Sequence, residues 1–345
     1  MTPYPSDFAG FIQMHKETIY ARICDYLPSG KPEEHHKMVR CYVDRKGQYR
    51  RPSYVLLWTL LYGGQIEDAV LPAAVQQVSE DWILIHDDWE DGNALRRGKE
   101  AAHVLYGDRF AINAGDHLHM VNWKMAKDAA DSLGDSRGND YFEKFYDIMQ
   151  VTCRGQYLDM KLTHDIKDIS GFSPEDYFRS IHAKAAYYSV YGPMQCGAIV
   201  AGASREAVEK IAIYGIPAGK AFQIRDDILD CSSSEARLGK SIGNDVWDGC
   251  KTLILWHAAR TASPTILSKL KEIYGKPREE KTEEEVSWVL EQFRDLGSLD
   301  HAGAEAVKLT AQSIELFDEI ESHIPESPLK ALARDSLGYA AQRAV

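Results

Sequence analysis

The sequence contains no run of apolar residues approaching 18 in length, so no helix is expected to cross a bilayer. Its six cysteines (Cys24, Cys41, Cys153, Cys196, Cys231 and Cys250) are dispersed without a C-x-x-C pair, which argues against a disulfide frame or a zinc ribbon. Basic charge is in short supply. With 40 Lys and Arg against 52 Asp and Glu, the net charge is −12, and nucleic acid is excluded as the main partner. The stretch MTPYPSDFAGFIQMHK has neither a basic start nor an apolar core, so no secretory signal is expected and a cytoplasmic location with reduced thiols is. There is no G-x-S-x-G elbow, Walker loop or G-x-G-x-x-G turn.

Proline is also sparse, and no train of alternating strands is visible. Long stretches instead carry helical period with Ala, Leu, Glu, Lys and Met, and 44% of residues are hydrophobic. The reading is one all-α domain over 1–345. Helices are expected to start near Ser53 and to cover 70–91 (with Pro72 at the start), 111–133, 141–162, 177–202 and 207–231. Ser173-Pro174 and Ser327-Pro328 are helix starts, and Thr282 with Glu285 forms a capping box. The charged stretch 274–285, YGKPREEKTEEE, reads as a surface connection without chemistry.

Two acidic stretches dominate what is present. WILIHDDWED places Asp87 and Asp91 one turn apart on a helix face, with Asp88 about a quarter-turn round. FQIRDDILD repeats the spacing with Asp226, Asp227 and Asp230. A single D-D-x-x-D often marks only a solvated face. Here both copies run directly out of apolar helix, and three adjacent carboxylates in such a place are costly without a cation. Oxygen-only ligands favour Mg²⁺, which bridges carboxylates to phosphate. Arg96, Arg97, Lys184, Lys240 and Lys251 could then neutralise a diphosphate, although each alone is an ordinary surface charge. His86 reads as a core or supporting histidine, and His117 and His119, two apart, do not share a helix face.

Several ordered segments together (GQYRRP, LIHDDWED, LRRGK, GDHL, GQYLD, the Lys184 segment, AFQIRDDILD and LGKSIGNDVWDGCKT) resemble the trans-type isoprenyl diphosphate synthases. The resemblance runs from about 47 to 252 and implies antiparallel helices around a deep cavity, in a homodimer. It implies a head-to-tail prenyltransferase that condenses isopentenyl diphosphate with allylic prenyl diphosphates. By the same resemblance Asp87, Asp91, Asp226 and Asp230 bind Mg²⁺, three ions with substrate bound, with Asp88 and Asp227 in support. Arg96, Lys184, Lys240 and Lys251 hold the allylic diphosphate, with Gln223 beside it, and Arg51 and Arg97 hold that of isopentenyl diphosphate.

The chain departs from this pattern at the second diphosphate. Gln48 stands where the family has lysine, with Lys46 and Arg50 near enough to substitute. Glu80 stands where the family has His or Gln, and the expectation is that it pairs with a neighbouring basic residue. Ala185 replaces the usual threonine after Lys184. Trp82, five residues before Asp87, is the expected stop for chain growth, which favours geranylgeranyl over farnesyl diphosphate as product. Two further readings stand beside this one. They are a terpene synthase that ionises an allylic diphosphate without coupling it, and a non-catalytic partner of another synthase.

Overall fold

The computed structural model describes residues 4–166, 168–232 and 242–339, and they are helical almost throughout. The chain starts with α1 (Phe8–Cys24) and α2 (Glu33–Arg40), then α3 (Arg50–Leu61) and α4 (Ile66–Glu90). Two longer helices, α6 (Asp108–Leu133) and α7 (Asp135–Asp165), follow the one-turn α5 (Ala102–Tyr106). Next come α8 (Pro174–Ile181), a π-helical segment (His182–Tyr191), α9 (Gly192–Val200) and α10 (Arg205–Ser232). The last third holds α11 (Asn244–Asp248), α12 (Leu253–Thr261), α13 (Pro264–Gly275), α14 (Glu283–Asp295), α15 (Ser298–Glu319) and α16 (Lys330–Tyr339).

The capping boxes expected at Ser173 and Thr282 are both formed, by Asp176 and Glu285. Elsewhere the boundaries differ for identifiable reasons. Helix α3 begins at Arg50 rather than near Ser53, because Tyr49 adopts a left-handed conformation (φ 59°) and turns the chain into the helix early. Helix α4 begins at Ile66 and runs through Pro72, with Glu67 and Asp68 in its first turn to favour the start. The one continuous helix expected over 177–202 is divided, and its middle widens to π geometry. A two-stranded hairpin, β1 (Leu95–Arg96) and β2 (Lys99–Glu100), interrupts the all-helical pattern. Its turn is Arg97-Gly98, both at positive φ (52° and 74°), where the second residue is glycine as such turns prefer.

Helix α10 packs along α15 and the π-helical segment, α4 along α6, and α3 along α9. At the α3–α9 crossing a Cβ on Gly197 would lie 2.3 Å from the Val55 carbonyl oxygen, so only glycine permits that approach. Two hydrophobic clusters result. The larger is built on α1, α3, α4, α6, α9 and the middle of α10, with Trp58, Tyr54, Phe8 and Phe11 fully buried. The smaller joins the end of α10 to α12–α15 through Ile228, Leu255, Val289 and Phe293. Helices α4, α7, α8 and α10, with the π-helical segment, deliver the polar side chains described next.

Candidate active site

The first acidic motif occupies the last turn of α4. Gly92, at φ 65°, turns the chain out of the helix, and the hairpin brings Arg96 back onto Asp88. Arg96 Nε lies 2.9 Å from Asp88 Oδ2, and its Nη2 contacts Oδ1. The Tyr42 hydroxyl donates to the same carboxylate at 2.5 Å and accepts from the Ala102 amide. Asp88 is completely buried in this arrangement, so it anchors the hairpin and does not face the cavity. Arg96 was expected to hold a diphosphate. Its strongest contact is Asp88, although it reaches to 4.0 Å from Asp87 and lines the cavity.

Asp87 and Asp91 do face that cavity, whose volume is about 650 Å³. Gln156 on α7 bridges Asp87 (3.2 Å) and Glu90 (3.0 Å). Burial first, and then the Asp87 charge, push the Asp91 carboxyl up to about 8. Across the cavity a Cβ on Gly155 would lie 2.3 Å from the backbone nitrogen of Lys184. Glycine there lets α7 and the π-helical segment touch, and one turn further along α7 Asp159 meets Lys184 Nζ at 2.7 Å. Ser180 donates to the other oxygen of Asp159 at 3.0 Å. Desolvation disfavours the Lys184 charge, but Asp159, Asp87 and Asp91 outweigh it and hold the ammonium well above the usual lysine value.

From α10 the cavity receives Gln223 and Asp227, which share a face at i, i+4. Gln223 donates to Asp227 at 2.8 Å and Tyr177 donates to it at 2.7 Å. Burial dominates over these bonds and pushes the Asp227 carboxyl up to about 7. The sequence expectation places Asp226 and Asp230 on the metal side with Asp227 in support, and the bonds from Tyr177 and Gln223 do hold Asp227 in place. Neither Asp226 nor Asp230 is among the residues lining the cavity. The Asp226 charge is one of those that raise the proton affinity of Arg51, after Glu80 and Tyr188. Asp230 is buried and accepts from the Asp245 amide at 3.0 Å, and its carbonyl accepts from Gly243, so it folds the entry to α11. That fold brings Asp245 and Asp248 to the cavity wall.

Lys251 also lines the cavity, with its ammonium donating to the carbonyls of Gly249 (2.6 Å) and Thr163 (3.3 Å). Lys240 falls outside the described residues. The connection over 274–279, read from sequence as chemically silent, forms part of the wall. Arg278 there pairs with Asp248 and donates to Asn244 at 3.2 Å. Its signal in the sequence was a single arginine in a charged run, too weak to distinguish from solvated surface.

The residues expected at a second diphosphate form a separate cluster outside that cavity wall. Glu80 lies between Arg51 (3.1 Å) and Arg97 (3.7 Å), which is the pairing expected for it. Lys46 pairs with Glu17 at 2.6 Å, and the Arg50 guanidinium lies 4.2 Å over the Phe222 ring. Gln48 is exposed on the turn before α3. Trp82 is buried at the α4–α6 contact, where its indole nitrogen donates to Asn122 at 3.3 Å and its ring meets His119 at a centroid distance of 4.2 Å. His86 packs on α6, with Nε2 3.3 Å from the Ile112 carbonyl oxygen and 3.6 Å from Asp116.

Among the described residues no three His, Cys, Asp or Glu side chains are drawn close enough to cage an ion by themselves. The carboxylates are instead spread around one cavity, and burial together with neighbouring charge resists the ionisation of Asp91. That donor set fits Mg²⁺, which is held by one or two carboxylates plus substrate phosphate rather than by a protein cage. No helix among the described residues is long and apolar enough to cross a membrane.

A sequence profile of the family described as polyprenyl synthetase matches residues 32–293. A geranylgeranyl diphosphate synthase of Methanosarcina mazei is 31% identical, with 92% of this chain and 93% of that protein covered. A geranylfarnesyl diphosphate synthase of Natronomonas pharaonis is 28% identical, with 96% of each covered. The crystal structure of geranylgeranyl pyrophosphate synthetase from Pyrococcus horikoshii superposes with a TM-score of 0.80 at 26% identity, covering 97% of this chain and 98% of that one.

Proposed function

The chain belongs to the polyprenyl synthetase family, and from that membership we infer that it is a Mg²⁺-dependent prenyltransferase joining isopentenyl diphosphate head-to-tail to an allylic diphosphate. The observation that carries the reading is the single cavity shared by Asp87 and Asp91 of one motif and by Asp227 of the other, with Lys184 on its wall. Asp87, Asp91, Asp226 and Asp230 would hold Mg²⁺, three ions with substrate bound, and Asp227, bonded by Tyr177 and Gln223, would support them. When present, Mg²⁺ neutralises the charge that develops on the departing diphosphate. Lys184, oriented by Asp159, points its ammonium at the same oxygens, and Lys251 and Arg96 add positive charge around them. Gln156 fixes Asp87 against Glu90 and so sets the direction of its free oxygen.

The allylic C1–O bond breaks, the alkene of isopentenyl diphosphate adds to the cation at C1, and a proton then leaves C2 of the former isopentenyl unit. The released diphosphate takes that proton, so no side chain need serve as base. Trp82, clamped by Asn122 and His119, is the floor that stops growth, and geranylgeranyl diphosphate is the product. The chain acts as one catalytic unit in a cytoplasmic homodimer. Incubation with labelled isopentenyl diphosphate and each allylic primer in Mg²⁺ tests this reading. A labelled C20 diphosphate is expected. Label remaining wholly in isopentenyl diphosphate, with hydrocarbon or alcohol formed from the primer alone, would overturn it.

A further inference from the structure

The cluster around Glu80 combines features that an ordinary surface ion pair lacks. Glu80 is only 16% exposed, and its two oxygens face different guanidiniums, Arg51 Nη1 at 3.1 Å and Arg97 Nη2 at 3.7 Å. Each guanidinium is itself fixed by another group. Arg51 donates to Ser189 at 2.8 Å and lies 4.5 Å over the Tyr188 ring, and Arg97 donates to the Tyr42 carbonyl at 2.6 Å and pairs with Asp81 at 2.8 Å.

Helix α1 adds Lys16, which the sequence pattern did not single out. Its ammonium lies 5.4 Å over the Tyr49 ring. Desolvation lowers its proton affinity, the Glu17 carboxylate raises it, and the charges of Lys46 and Arg97 lower it again. Lys46, Tyr49 and Arg97 are the non-glycine residues at positive φ among the described residues (50°, 59° and 52°), and all three border this cluster. Backbone strain of this kind persists where surrounding structure over-determines it. A Cβ on Gly47 would lie 2.7 Å from Arg97 Nη2, so glycine also leaves the guanidinium its position.

The cations acting on Glu80 are Arg51, Arg97 and Arg50, and Asp81 is the second carboxylate, while Glu17 offsets Lys46 and also acts on Lys16. Asp81 is almost wholly buried behind Arg97, whereas Glu80 occupies the face between the two arginines. A carboxylate that spans two pre-positioned guanidiniums makes the contacts that a phosphate would make.

We propose that Glu80 is a resident anion in a phosphate cradle formed by Arg51 and Arg97, and that the acceptor diphosphate binds by displacing its carboxylate. This rests on the prenyltransferase reading for the identity of the acceptor, but not for the existence of the cradle. Its consequence is weak acceptor binding that is set by one side chain. An incoming diphosphate must break two ion pairs and then tolerate a displaced glutamate nearby, and both costs vanish when the residue is neutral.

The test is calorimetric titration of the full-length protein with inorganic pyrophosphate in EDTA, so that the acidic cavity cannot contribute through metal. Glu80→Gln should bind pyrophosphate at least tenfold more tightly than the wild type. Glu80→Asp, which keeps the charge, should gain nothing, and Arg51→Gln in the Glu80→Gln background should lose most of the gain. In steady-state assays Glu80→Gln should lower the KM for isopentenyl diphosphate relative to that for the allylic primer. Unchanged or weaker pyrophosphate binding by a folded Glu80→Gln protein would overturn the proposal and make Glu80 a holder of the two arginines. Tighter pyrophosphate binding without coupling by either protein would uphold the cradle and refute the prenyltransferase reading instead.

Discussion

Lys184 and Gly155 touch through their backbones. A Cβ on Gly155 would stand 2.3 Å from the Lys184 nitrogen, and that contact sets the ammonium 2.7 Å from Asp159. Replacing Gly155 with alanine should therefore push the π-helical segment away from α7. We expect a loss of about 1–3 kcal/mol in urea unfolding, the usual cost of overpacking, together with a fall in kcat larger than this loss of stability explains.

Lys184→Ala should fold, because the side chain is partly accessible, yet lose about 100-fold in kcat if its charge serves the leaving group. Lys184→Arg should recover part of that loss. Single-turnover kinetics of allylic ionisation would separate this effect from substrate binding, and an unchanged ionisation rate would contradict the assigned role.

How far the site could be read from the chain depends on what each residue does. The acidic motifs, Lys184 and the helical architecture were legible because charge on an apolar helix and period 3.6 are local signals. The division of labour within D-D-x-x-D was not. Asp88 and Asp230 carry the same carboxyl as Asp87, and only the neighbours folded against them, Tyr42 with Arg96 and the amide of Asp245, turn them inward. Asp227 is tied to its neighbours by Gln223 one turn earlier and by Tyr177 fifty residues away, and only the first of these is a local signal. Arg278 reaches Asp248 and Asn244 across thirty or more residues, which no spacing rule encodes.

Asp88 and Asp87, adjacent in sequence, should therefore fail in different ways. Asp88→Ala leaves Arg96 without its buried partner and should cost about 3–5 kcal/mol in denaturant unfolding. Tyr42→Phe, which removes one of the bonds to that carboxylate, should cost about 1 kcal/mol. Asp87→Ala should leave the unfolding midpoint nearly unchanged while abolishing turnover. Equal stability losses at the two positions would contradict the burial difference.

The metal-free protein should become less stable as pH rises, through Asp91. Burial and the Asp87 charge raise its carboxyl from an ordinary value of 3.8 to about 8 in the folded state. The folded protein thus holds a proton that the unfolded chain releases. The stabilisation is complete below about pH 4 and is lost progressively up to about pH 8. Asp91→Asn should flatten this part of the profile relative to the wild type, measured by thermal unfolding in EDTA. Added Mg²⁺ should stabilise the wild type most at the alkaline end, where the carboxylate is free to bind it.

Trp82→Leu should lengthen the product. It removes an indole held by Asn122 and His119 at the α4–α6 contact, which the proposed function takes as the stop for chain growth. Chain-length analysis of the labelled products should show species beyond C20. A product distribution identical to the wild type would place the floor elsewhere.

The two-residue strands Leu95–Arg96 and Lys99–Glu100 leave their hairpin little freedom, and its consecutive arginines are pinned in different directions, Arg96 to Asp88 and Arg97 to Asp81. A tilt of this small lever that relieves one arginine must drag the other. Arrival of an anion at Glu80 would thus be felt beside Asp87 without any helix shifting, and the two substrates should influence each other's affinity through a single dipeptide.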